Sequence, residues 1–180
     1  AVPGEENPRR WDLTPDFGAR PGNDAELLAF AGKQLAAAPG VDPSRVYLLG
    51  FREGADVAAL AACRAPDAFA GLVLVRPSIT LKDRGDDEAA RRVCDGVGRL
   101  PVMLWSAAPG ETEAEAPEPN AAALQAAFWA GRQRCVAHAG MEWPRGTVPW
   151  EVTDWSGCQF GAQVRLLELP NAIEAWPGDG

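Results

Sequence analysis

The sequence has almost no histidine and no paired cysteine motif. Its 180 residues include a single histidine, His138, and four cysteines: Cys63, Cys94, Cys135 and Cys158. No two of these cysteines have Cys-x-x-Cys spacing, so a zinc site would need ligands from scattered positions. We therefore expect neither a metal ion nor another cofactor.

Long apolar runs and basic clusters are also missing. No stretch approaches the roughly 18 apolar residues of a membrane-spanning helix, and none resembles a signal peptide within these residues. The formal net charge is −8, and lysine and arginine do not cluster with aromatic residues. These absences argue against a membrane or a nucleic acid as a partner.

What remains is the composition of a globular protein. Hydrophobic residues make up 47% of the chain and charged residues 23%, which is ordinary for such a protein. The length fits one domain with its own core, so residues 1–180 are predicted to form a single domain. The even cysteine count suits an oxidising compartment and favours a secreted or periplasmic location.

Short apolar segments alternate with helical ones. The strands are predicted at 45–50, 72–75, 101–105 and 164–169, and the helices at about 25–38, 55–64, 88–93 and 120–130. Such alternation predicts a parallel sheet covered by helices on both faces. The segment 140–157, rich in tryptophan and proline, is predicted to be an irregular excursion.

One strand-to-helix connection has glycines at its two ends. Gly50-Phe51-Arg52-Glu53-Gly54 follows a predicted strand and precedes a predicted helix. This is the setting of the nucleophile elbow, whose usual form is Gly-x-Ser-x-Gly. On spacing alone, an ordinary turn with two glycines remains the better interpretation.

The surroundings of this turn resemble a known family. Asp-Pro-x-Arg-Val-Tyr (42–47), Ala-Cys (62–63) and Pro-Asp-x-Phe-Ala-Gly (66–71) are typical of secreted esterases of the polyhydroxybutyrate depolymerase and feruloyl esterase family. Trp129, Cys135, Gly157-Cys158 and residues 175–178 follow in the family's order. The resemblance covers about Trp11 to Gly178. It implies a three-layer α/β-hydrolase-like fold whose parallel sheet is incomplete, since the chain begins at about the family's fourth strand.

The resemblance also places the family's catalytic triad on unsuitable residues. Arg52 stands at the serine position, Gly110 at the aspartate position and Glu174 at the histidine position. A triad needs a hydroxyl, an imidazole and a carboxylate, and an arginine side chain is permanently protonated. The sequence therefore predicts a catalytically inactive homologue or fragment of a carboxylic-ester hydrolase.

The same alignment predicts what remains at the site. Only one oxyanion donor is expected, the backbone N–H of Glu53. In the family the second donor comes from the loop after the third strand, and by the resemblance this chain begins at about the fourth. Arg52 and Glu174 are expected to face each other as an ion pair. Otherwise Arg52, at a helix N-terminus, is a candidate for binding an anion.

Two alternatives to an inactive homologue stay open. One is an active esterase that uses displaced residues, with Ser106 or Ser78 as the nucleophile and His138 as the base. The other is a non-enzymatic module that binds a small ester or anion at Arg52. A protein partner is also expected along the strand Val46 to Leu49, an apolar edge exposed by the missing strands.

The resemblance further implies a disulfide between Cys135 and Cys158, whose equivalents are bridged in the family. Such a bridge would close a loop of about 24 residues and stabilise the chain by roughly 3 kcal/mol. For Cys63 two interpretations remain open: a second bridge to Cys94, or a small core residue.

Overall fold

The fold is a mixed α/β architecture built on a mostly parallel sheet, as predicted, and it is consistent with a three-layer arrangement. The computed structural model describes residues 11, 24–78, 94, 99–107, 121–145 and 148–169. Residues 107, 137–139, 141–145, 148 and 149 are described by their backbone alone. The helix predicted at 88–93 lies outside the described residues.

The predicted elements that fall on described residues match the structure to within about two residues at each end. The helices are α1 (Asp24–Ala36), α2 (Glu53–Arg64) and α3 (Ala121–Arg132). The strands are β1 (Tyr47–Phe51), β2 (Gly71–Val75), β3 (Val102–Ala107), β4 (Ala137–Arg145), β5 (Val148–Ser156) and β6 (Val164–Leu169).

Within the described residues the sheet has the strand order β1-β2-β3-β6-β5-β4. The first four strands in this order pair in parallel, and β5 and β4 add an antiparallel hairpin. Parallel neighbours require crossover connections, and α2 and α3 lie in two of these crossovers. The carboxyl ends of β1, β2 and β3 therefore meet at one edge of the sheet.

The hairpin corrects the prediction of an irregular excursion at 140–157. Three tryptophans and two prolines in this segment obscure the strand alternation. Pro144 and Pro149 face each other near the hairpin tip, beyond Glu151, where the described pairing of β5 with β6 ends. A proline at such a position removes no hydrogen bond to the next strand, so it does not prevent strand formation.

Within the described residues, α2 and α3 cover one face of the sheet, and helices on the second face stay a prediction. The side chains of β2 and β3 that point to this face are buried: Leu72, Leu74, Val102 and Leu104. A hydrogen bond of 3.5 Å between Gln125 of α3 and Asp56 of α2 shows that these two helices lie on the same face. Along the other face, among the described residues, Val73 and Met103 are half-buried, whereas Tyr47 and Leu49 are 64% and 52% exposed.

α2 is the most deeply buried helix of the described chain. Every residue from Ala55 to Cys63 is buried, because α1 packs on this helix from one side and the sheet from the other. Five of these nine residues are alanine. Their small side chains let the backbone of α2 approach both neighbours closely, as expected for a helix that is apolar on most of its surface.

The motif that precedes β1 forms a single 3₁₀ turn, Pro43–Arg45. The carboxylate of Asp42 accepts hydrogen bonds from the backbone N–H and the hydroxyl of Ser44, at 2.9 and 2.6 Å. The two bonds stabilise the charged form of Asp42 and lower its pKa. This cap ends the connection from α1 and sets the start of β1.

Both disulfides are present. Cys135 is bonded to Cys158, which confirms the pairing that the resemblance implied, and Cys63 is bonded to Cys94. The first bridge lies just outside the two ends of the hairpin β4–β5 and closes its base. The second fixes the last turn of α2. Two bridges and the absence of a membrane-spanning helix among the described residues are compatible with an extracellular protein.

Candidate functional site

A cavity of about 720 Å³ opens at the carboxyl ends of β1, β2 and β3. In open α/β sheets ligands bind at this edge of the strands, and the volume is in the range of small-molecule sites. The lining residues come from the ends of these strands, the starts of α2 and α3, and the N-terminal segment: Trp11, Phe51, Arg52, Glu53, Gly54, Arg76, Pro77, Ser78, Ser106, Ala121 and Ala122.

Arg52 occupies the turn between β1 and α2 in a strained conformation. Its φ is 53° and its ψ is −124°, a combination that non-glycine residues rarely adopt. The backbone is fixed by two hydrogen bonds of 2.8 Å, from the Arg52 N–H to Val75 O and from the Ala55 N–H to Arg52 O. A sharp, strained strand-to-helix turn is the geometry that a nucleophile elbow gives its serine.

The two glycines of this turn differ in what they do. A Cβ atom on Gly50 would collide with the backbone carbonyl of Gly54 and lie 2.5 Å from the Cα of Ala55. Gly50 is therefore required by the close return of α2 over β1. A Cβ on Gly54 would meet only Trp11, at 3.6 Å. Crowding by the described residues thus explains the first glycine and not the second.

A second arginine, Arg76, repeats this arrangement on the neighbouring strand. It follows β2 directly, its φ is 51°, and its N–H donates to Trp105 O of β3 at 2.8 Å. Because Phe51 pairs with Val75, Arg52 and Arg76 come from adjacent positions at the end of the sheet. Arg76 was not predicted as a site residue from the sequence. The signal was present, since Arg76 is the polar residue directly after a buried strand.

Asp56 is a buried carboxylate behind the cavity wall, with 3% of its surface exposed. The hydroxyl of Ser78 donates to its Oδ2 at 2.6 Å, and the amide of Gln125 approaches its Oδ1 at 3.5 Å. Its place in the first turn of α2 favours the negative charge. The network joins the segment after β2 to α2 and α3, so it fixes the wall on which Arg76 lies. Asp56 was not predicted as a site residue from the sequence.

The structure brings some of the predicted site residues together. Arg52, Glu53, Ser78 and Ser106 all line the cavity, and Glu53 begins α2 where an oxyanion donor was expected. Gly110 and Glu174 lie outside the described residues. The ion pair between Arg52 and Glu174 therefore stays a prediction.

His138 lies far from both candidate serines. It is on β4 and pairs with Trp155, which is in register with Val164 and Val102. Ser106 is three strands away and four residues further along β3. With strands about 4.8 Å apart and about 3.3 Å per residue, the two Cα atoms are roughly 20 Å apart on a flat sheet. Ser78 follows β2, one strand further away, so the structure does not bring His138 to either hydroxyl.

The described side chains offer no metal site. Among residues 24–78, 94, 99–107, 121–145 and 148–169, no group of three or more His, Cys, Asp or Glu side chains could hold a metal ion. The two disulfides occupy all four cysteines. The chemistry that this cavity presents is therefore that of guanidinium, carboxylate and hydroxyl groups.

An α/β chain with a strained strand-to-helix turn at the carboxyl edge of its sheet has the layout of an esterase-like hydrolase. No family model matches the chain. It is 31% identical over 118 residues to a protein named "Putative esterase NocK" from Nocardia uniformis subsp. tsuyamanensis. The match covers 63% of this chain and 33% of that protein, so the chain spans about a third of the length of this relative. The similarity supports an esterase-like hydrolase relationship.

Proposed function

We propose that this chain is a catalytically inactive homologue of a secreted carboxylic-ester hydrolase of the polyhydroxybutyrate depolymerase and feruloyl esterase type, and that it keeps a ligand cavity. One observation carries the proposal. The strained turn between β1 and α2 has the backbone expected of a nucleophile elbow, and the residue at its apex is Arg52.

The side chains around the cavity support inactivity. A guanidinium has no hydroxyl or thiol to attack an ester and stays protonated. Ser78 has a hydroxyl, but its described partner is the carboxylate of Asp56 rather than an imidazole. The protein's only imidazole, His138, is on a distant strand.

Steady-state hydrolysis of p-nitrophenyl butyrate by the purified protein tests this proposal. The matched variant is Ser78→Ala/Ser106→Ala/His138→Ala, which removes each displaced candidate. We expect no turnover beyond one equivalent of nitrophenol above the buffer blank, with identical traces for the two proteins. Multiple turnovers that the triple variant loses would contradict the proposal and establish a relocated active site.

We further propose that a protein partner binds along strand β1. Within the described residues β1 pairs only with β2, and Tyr47 and Leu49 are exposed. Val46 is buried and Leu48 is half-buried, so only alternate residues of the predicted edge are accessible. Exposed apolar edge strands pair readily with other strands.

Sedimentation velocity over a concentration series tests this edge, with Leu49→Lys as the matched variant. Association that the lysine abolishes would support strand pairing between copies. Equal monomeric behaviour of both proteins would contradict self-pairing.

A further inference from the structure

We propose that the cavity binds an organic carboxylate, with the carboxylate held between Arg52 and Arg76 and the apolar body of the ligand against the cavity wall. The proposal rests on the proposed function, because it names the ligand class of a cavity that no longer turns over an ester. Arg76 has no counterpart in the triad positions discussed above.

The two arginines are placed as a pair by the sheet. Each is the first residue after its strand, each has a positive φ near 50°, and each donates its N–H to the last part of the next strand. Their strands are neighbours, in register through Phe51 and Val75, so the two Cα atoms are about one strand spacing apart, on the order of 5 Å. Both residues line the same cavity, where one ligand can reach both guanidinium groups.

Two adjacent arginines in the lining favour an anion. Among the described lining residues, the charged ones are Arg52, Arg76 and Glu53. The chain as a whole carries −8, so these two guanidinium groups concentrate positive charge at one point of an acidic protein. A carboxylate offers two oxygens that match the planar donors of a guanidinium, and two adjacent guanidinium groups gain from sharing it.

The rest of the lining favours an apolar body on that carboxylate. Five of the eleven described lining residues are hydrophobic or proline: Trp11, Phe51, Pro77, Ala121 and Ala122. A cavity of about 720 Å³ is far larger than an inorganic anion requires. The lining is thus amphipathic, and it fits an acyl or aryl carboxylic acid better than phosphate or sulfate.

The wall is held in place without a ligand. The N–H groups of Arg52 and Arg76 are bonded to β2 and β3, and the Ser78–Asp56 hydrogen bond fixes the segment that follows Arg76. These bonds fix the backbone from which each arginine side chain extends. A site whose backbone is fixed in advance loses less entropy on binding.

Isothermal titration calorimetry with phenylacetate tests the proposal. Phenylacetamide is the matched neutral probe, since it has the same shape without the charge, and inorganic phosphate probes a simple anion site. We expect phenylacetate to bind roughly tenfold or more tightly than phenylacetamide, because hydrogen bonds from a guanidinium to a charged carboxylate are stronger than those to a neutral amide. Phosphate should bind more weakly than phenylacetate.

The variants Arg52→Gln and Arg76→Gln should each weaken phenylacetate binding by about tenfold and leave phenylacetamide binding unchanged. Arg134→Gln is the matched control: Arg134 also has a positive φ, 52°, and is exposed outside the cavity lining. It should bind phenylacetate like the wild type. Thermal melts of all three variants establish that each is folded before titration.

The proposal is overturned if phenylacetate shows no binding at millimolar concentration, if the acid and the amide bind equally, or if phosphate binds as tightly as phenylacetate. It is also overturned if Arg76→Gln binds like Arg134→Gln. Its failure is separate from that of the proposed function: a protein that binds no carboxylate and hydrolyses no ester contradicts this inference alone, whereas ester turnover with intact carboxylate selectivity contradicts inactivity alone.

Discussion

The helix-covered face of the sheet and the carboxyl ends of the same strands are built in opposite ways. The covered face consists mainly of alanine and aliphatic side chains, together with the fully buried Trp129, and has almost no exposed surface. The strand ends carry Arg52 and Arg76 at positive φ, beside a cavity and above the buried carboxylate of Asp56. The first region gains stability from burial, whereas the second holds strained polar residues in place at a cost in stability. Such a division is typical of a scaffold with a functional site.

Truncating Trp129 of α3 should have the largest effect on stability among changes to the covered face. Its side chain is fully buried, with 0% exposed, so Trp129→Ala should lower the free energy of unfolding by about 3–5 kcal/mol, through lost transfer energy and a cavity. Urea denaturation measures the change. Phe30→Ala is the matched control, because Phe30 is 61% exposed on α1, and it should change stability by less than about 0.5 kcal/mol. Equal effects of the two substitutions would contradict the assigned core.

Loss of the disulfide at the base of the β4–β5 hairpin should have the next largest effect on stability. Cys135→Ser/Cys158→Ser releases a segment that spans 23 positions and should cost about 3 kcal/mol in the chain-entropy model. The loss is read from urea denaturation of the double variant beside the wild type, each with Cys63–Cys94 intact. A cost under about 1 kcal/mol would mean that the pairing of β5 with β6 holds the hairpin without the bridge.

At the strand ends, a substitution to glycine should raise the free energy of unfolding relative to a substitution to alanine. A residue at φ 53° and ψ −124° costs on the order of 1–3 kcal/mol, and glycine adopts positive φ without that strain. Arg52→Gly should therefore be more stable than Arg52→Ala by about 1 kcal/mol in thermal or urea unfolding. Alanine is the right reference because it also removes the charge. At an ordinary helical position the glycine variant is the less stable of the two. If the alanine variant were the more stable one at position 52, the strained turn would be contradicted.

The parallel core of this fold was predictable because its signals are local. Four apolar runs and the helical segments between them placed β1, β2, β3 and β6 and the three described helices. The disulfide partner of Cys135 came from a resemblance rather than from spacing. The hairpin β4–β5 was missed because its pattern is interrupted by Pro144 and Pro149, whose cost depends on which neighbouring strand is present.

The site was predictable only in part. The glycine spacing and the resemblance identified Arg52 as the apex of the turn. Arg76 and Asp56 were not identified, because their roles depend on strand register and on a hydrogen bond across 22 residues of sequence. The sequence did not exclude a contact between either serine and His138, because no local pattern reports that β4 lies three strands from Ser106 and four from the end of β2.

The strained turn at Arg52 is expected to persist without an activated nucleophile in the cavity. Labelling with a fluorophosphonate tests this most directly, because it needs no knowledge of a substrate. Such reagents form a covalent bond with a serine whose hydroxyl is activated by a base. Intact-mass and peptide mass spectrometry of the treated protein should show no stoichiometric adduct, while an active serine esterase treated in parallel is fully labelled. A stoichiometric adduct on Ser78 or Ser106 would contradict the account and identify the nucleophile of an active enzyme.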